Sequence, residues 1–76
     1  EGAYLWRGMQ TFHYGFHLCR AGCFKKLGQL DRCPAEVDRA YEIIRTAWSD
    51  FEEKTDYYME NFYDCLREQD LEEYRK

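Results

Sequence analysis

Leu5, Met9, Phe12, Phe16, Cys19, Cys23, Leu27 and Leu30 recur at intervals of 4, 3, 4, 3, 4, 4 and 3 along the first half of this chain. That spacing draws one continuous stripe down an α-helix, and the period-two alternation of a strand is absent. Gly8, Gly15 and Gly22 stand one heptad apart, each one residue before Met9, Phe16 and Cys23. An interior glycine costs a helix about 1 kcal/mol relative to alanine, so a helix carrying three requires a tertiary partner. With the stripe taken as the buried face, the glycines fall on its flank and are expected to let a neighbouring helix approach. Gly28 then stands where a helix C-cap belongs.

The second half restarts at Cys33-Pro34-Ala35-Glu36. Proline suits the first turn of a helix, and an acid there complements the helix dipole. No glycine or proline follows as far as Lys76, and the apolar stripe runs Val37, Tyr41, Ile44, Trp48, Phe51, Tyr58, Phe62 and Cys65, broken at Thr55. One helix over that whole stretch would be about 63 Å long, well beyond the usual length in a globular domain. Ser49-Asp50-Phe51-Glu52 has the form of a capping box and marks the expected break. The chain therefore reads as one all-α domain over 1–76, an up-down-up three-helix bundle with helices at about 4–28, 34–48 and 50–74. The alternative is a helical hairpin whose second helix is long and unbroken.

A chain of 76 residues buries only about 60% of its unfolded surface, so its core alone gives marginal stability. Four cysteines, at 19, 23, 33 and 65, suggest staples. In the three-helix arrangement Cys19 and Cys65 lie at one level, each about 21 to 22 Å from the base of its helix at 1.5 Å per residue. Cys23 and Cys33 flank the first connection. The expected pairing is Cys19–Cys65 with Cys23–Cys33, and the two closures are each worth about 3 to 4 kcal/mol. The spacing C-x3-C, C-x9-C matches no zinc ribbon or finger.

Charge separates along the chain: residues 1–33 balance at +3 and residues 34–76 at −7, giving −4 overall. The halves complement each other, and the acidic half disfavours nucleic acid. No apolar run reaches the about 20 residues a membrane span needs. His13 and His17 share a helix face, but the glutamate and further ligands of a metal site are missing. Ser49 is the only serine and no histidine neighbours it, the paired acids Glu52-Glu53 and Glu72-Glu73 are consecutive, and the glycines form no phosphate loop. The expectation is a non-enzyme with no cofactor and no metal.

Aromatic residues make up 18% of the chain, more than three short helices bury, and Tyr, Trp and Arg are frequent interface residues. The leading expectation is a small secreted, disulfide-stabilised helical protein, toxin-like or hormone-like, that binds an extracellular receptor or channel. Tyr14, Arg20, Lys25 and Lys26 form its expected contact edge. A monomer is expected, with a disulfide-linked dimer through Cys65 as the alternative. A second reading is a structural or assembly subunit of the mitochondrial intermembrane space, since the C-x3-C and C-x9-C spacings are similar to those of helical hairpins oxidised there. Neither spacing occurs twice, as those families require. A third is a small extracellular ligand carrier with the Phe and Met stripe as its cavity wall.

Overall fold

A computed structural model describes residues 2–75, and side chains at residues 8, 9 and 12–75. Three helices account for most of it: α1 Gly2–Lys26, α2 Cys33–Ala47 and α3 Glu52–Glu68, with 3-10 turns at Leu30–Arg32 and Glu72–Tyr74. The described residues contain no strand. Contacts fix an up-down-up order. Along α1, His17 meets Glu36 and Ala21 meets Cys33, so α2 runs antiparallel to it. Tyr14 meets Tyr58 and Gly22 lies against Gln69, so α3 returns parallel to α1. The body measures 42 × 19 × 16 Å, its length set by α1. Among the described residues no helix is long and apolar enough to cross a membrane.

The helix ends follow from local chemistry. Gly28 takes φ 78°, and Gln29 N–H donates to Phe24 O at 2.8 Å while Gly28 N–H donates to Lys25 O at 3.0 Å, which closes a Schellman cap on α1. The same cap ends α3 with Asp70 in place of glycine, at φ 60°, through Leu71 N–H to Leu66 O at 2.7 Å and Asp70 N–H to Arg67 O at 3.2 Å. That cap stops α3 at Glu68, short of the expected 74. Leu71 consequently turns inward and is fully buried.

Between α2 and α3 the chain breaks at Trp48–Phe51, so the long second helix of the alternative fold is not formed. The device differs from the expected capping box. Phe51 is the N-cap and makes no side-chain cap bond; instead Thr55 Oγ1 donates to Trp48 O at 2.5 Å and tethers the first turn of α3 across the break. Trp48 is buried and stacks on Tyr58, ring centroids 6.0 Å apart.

The core comprises Leu18, Ala21, Val37, Ala40, Ile44, Met59, Phe62, Leu66 and Leu71, flanked by Tyr14, Tyr41, Tyr58, Tyr63, Cys65 and Tyr74. This corrects the expected burial of α1. Its periodic stripe faces water: Met9 is 62% exposed, Phe12 82%, Phe16 64%, Leu27 69% and Leu30 51%, with Cys19 and Cys23 also exposed. Leu5, the first residue of the stripe, lies outside the described side chains. The buried face of α1 is the other one, built from Leu18, Ala21 and Gly22, whose small residues let α1 and α2 pack closely.

Of the three heptad glycines only Gly22 keeps its expected close approach. A Cβ at Gly22 would press on the Gln69 carboxamide, its Cδ at 3.2 Å, whereas Gly8 and Gly15 have nothing within 4 Å. Gly15→Ala is therefore expected to stabilise the chain by about 0.5–1 kcal/mol, through helix propensity alone. A lower urea midpoint for this variant would show that Gly15 is needed after all.

The expected bridges are not formed in this structure, where all four cysteines stand as free thiols. Cys33 is fully buried beside Ala21 on the core side of α1, its Sγ 3.4 Å from Ala21 O, while Cys23 opens onto the outer face. Burial thus separates the two members of the expected Cys23–Cys33 pair. Cys65, on α3, is half-buried, and burial raises its pKa, with smaller contributions from Glu68 and Cys19.

Candidate functional site

The outer face of α1 is the candidate binding surface. Phe16, Cys19, Arg20, Cys23, Phe24 and Leu27 line a shallow open groove of about 300 Å³, and they are one helix's own side chains at successive turns. Toward the N-terminal end the apolar surface continues into a hollow of about 240 Å³ between Gly8, Phe12, Tyr14 and Tyr58. Monomers rarely leave an apolar patch of this extent in water, and one rimmed by polar groups marks a contact site.

Arg20 is the polar element of the groove. Its guanidinium lies 6.0 Å from the Phe16 ring centroid and 5.9 Å from that of Phe24, and its Nη2 sits 3.3 Å from Glu36 Oε2. Glu36 also receives His17 Nδ1 at 2.6 Å on its other oxygen. One half-buried carboxylate thus holds two α1 side chains and pins Arg20 along the apolar strip. Arg32 covers the far side of Phe24 at 5.4 Å.

The sequence-predicted contact edge is divided by the fold. Arg20 stands in the groove, and Lys26 is exposed at the end of α1. Lys25 is tied to the C-terminal turn, its Nζ 2.8 Å from Glu73 Oε1 and 3.3 Å from Asp70 Oδ2, with a further bond to Asp70 O. The Glu73 bond leads the effects that raise the Lys25 pKa above its usual value. Tyr14 is half-buried, edge-on to Tyr58 at 6.2 Å, and burial is the first cause of its raised pKa, followed by the Cys65 thiol. Structural ties thus account for Lys25 and Tyr14.

Sequence reasoning missed the importance of Glu36, read only as a dipole partner, because its bond to His17 spans 19 residues. It also took Phe12 and Phe16 for core. His13 is exposed while His17 is held by Glu36, and among the described residues no group of three or more His, Cys, Asp or Glu is arranged to hold a metal ion.

The thiols fall into two environments with different reactivity. Burial raises the pKa of Cys65, reinforced by Glu68, Cys19 and Asp64, which lowers its thiolate fraction at neutral pH. Cys33 is fully buried. Iodoacetamide in native buffer is therefore expected to modify Cys19 and Cys23 first, Cys65 more slowly and Cys33 last, as followed by peptide mass spectrometry. Early labelling of Cys33 would contradict its burial.

No protein-family model, curated protein or solved structure matches this chain.

Proposed function

We propose that this chain is a binding protein that works by laying the outer face of α1 against another protein, and that it does so as a small secreted effector on a receptor or channel. One observation carries the binding reading: Phe12, Phe16 and Leu27 remain mostly in water although the same helix buries Ala21 and Gly22. An apolar strip with anchors at helical spacing suits an amphipathic helix as its counterpart. The helix-in-groove mode needs anchors at successive turns, and α1 supplies them at 12, 16, 19 and 23.

The extracellular part of the proposal rests on the even cysteine count of a short chain. Of the two staples considered we retain Cys19–Cys65, because burial sets Cys33 apart from Cys23. Its formation transfers two protons and two electrons to an oxidant such as glutathione disulfide, which leaves as two molecules of glutathione. A two-hydrogen mass loss mapping to a Cys19–Cys65 peptide in protein taken from its natural compartment supports this staple; four alkylatable thiols there overturn it.

The binding reading is tested by panning a displayed library of helical peptides against the chain. Expected are enriched peptides with apolar residues at heptad spacing, whose binding is lost in Phe12→Glu and Phe16→Glu. Enrichment insensitive to both substitutions, or none at all, would end it.

A further inference from the structure

Met9, Phe12, Phe16, Cys19 and Cys23 are spaced 3, 4, 3 and 4 apart, the heptad seam of a coiled coil, and all five are exposed. A seam this narrow matches one further helix; a stripe that packs into a globular core is broader. The helix available in equal amount to every such seam is the seam itself. We infer that the outer face of α1 pairs with the same face of a second copy of this chain, the two α1 helices running antiparallel. The inference rests on the reading that this face is a contact surface and names its occupant.

The area agrees with that occupant. At their observed exposures Met9, Phe12, Phe16 and Leu27 leave on the order of 500 Å² of apolar surface in water per chain. With the two cysteines and the stem of Arg20 the patch approaches the about 800 Å² per partner of a standard interface. The face is self-complementary, as a two-fold contact requires. About an axis near Leu18, Met9 falls opposite Leu27 of the second copy, Phe12 opposite Cys23, and Phe16 opposite Cys19, with Arg20 beside it.

Orientation follows from charge. In a parallel pair Lys26, at the next seam position after Cys23, would face its own copy, and the α1 dipoles would align. The antiparallel arrangement sets Lys26 against the Met9 end and opposes the dipoles. A bilayer is the less favoured occupant, because the chain carries −4 and Arg20 is already committed to Glu36.

Equilibrium sedimentation of the full chain in reductant tests the pairing. Expected is a monomer–dimer equilibrium whose dissociation constant rises about 30-fold or more in Phe16→Glu, a charge placed in the centre of the seam. Phe12→Glu serves as a second variant, and circular dichroism below the dissociation constant checks that both remain helical. Raising the salt should tighten the wild-type dimer, because association of two net-negative chains through apolar surface is opposed by their charge. A strictly monomeric wild type, a dimer indifferent to both substitutions, or a monomer that instead co-sediments with phosphatidylserine vesicles through Phe16 overturns the inference. A Cys23–Cys23 cross-link on mild oxidation of the dimer would overturn the antiparallel arrangement, in which the two Cys23 stand about 16 Å apart along the helix axis. A monomeric wild type that still binds selected peptides through Phe12 and Phe16 would remove self-pairing and leave the binding reading intact.

Discussion

Alanine in place of Phe62 leaves this chain largely unfolded at physiological temperature. Phe62 is the largest fully buried side chain, and its ring meets Tyr41 edge-on at 6.0 Å and Tyr63 at 5.4 Å. Removing a buried phenyl ring costs about 3–5 kcal/mol in lost transfer energy and residual cavity. A domain this small sits near the bottom of the about 5–15 kcal/mol range of folded proteins, and the free thiols supply no covalent compensation. The urea midpoint followed by circular dichroism should fall to near zero for Phe62→Ala. Tyr57→Ala, at a site 59% exposed, should change stability by less than about 1 kcal/mol. A Phe62→Ala protein with a near-normal midpoint would mean that the core is organised differently.

Leu18→Glu is expected to abolish folding, whereas Phe16→Glu, two residues earlier, leaves the monomer folded. Leu18 is fully buried among Ala21, Val37, Ala40 and Ile44, where a carboxylate has no partner and must be buried uncompensated or expel the helix. Such substitutions cost more than about 4 kcal/mol. At Phe16, 64% exposed, the carboxylate remains hydrated and the monomer loses about 0.5 kcal/mol or less. The comparison must be made at concentrations where wild type is monomeric, because self-association stabilises the native state by mass action. The opposite order, with Leu18→Glu folded and Phe16→Glu unfolded, would restore the stripe to the core.

Several parts of the fold were legible because they are written within one turn of chain. Gly28 adopts the left-handed conformation its position suggested, and Pro34 lies in the first turn of α2. The break after Trp48 was located correctly, yet its stabilising bond was misassigned. Thr55 reaches seven residues back to Trp48 O, and a hydroxyl one turn beyond the cap carries no signature that a Ser-x-x-Glu pattern lacks. The early end of α3 was hidden for a similar reason. Asp70 stands in a left-handed cap that glycine usually fills, so its identity gave no warning.

The candidate site was legible as a set of residues and misread as to direction. Phe12, Phe16, Cys19, Cys23 and Leu27 were recognised as one helix face, but periodicity reports that residues share a face without saying what that face meets. The cysteines repeat the lesson. Spacing along the helices set Cys19 level with Cys65 and Cys23 beside Cys33, but Cys33 packs against Ala21, two residues and so about half a turn from Cys23, whose thiol opens outward.

Helix content, the helix starts and the shared face of the α1 stripe came from the sequence by itself, because hydrogen-bond closure, caps and the 3.6-residue period are local properties of the chain. Only the tertiary structure decided which of the two apolar faces of α1 is buried. The bulkier face carries more transfer energy per residue, yet the face with Ala21 and Gly22 lets α1 lie close to Val37, Ala40 and Ile44 of α2. Close packing depends on the shape of both partners at once, and that joint fit is what left Phe12 and Phe16 outside to make a surface.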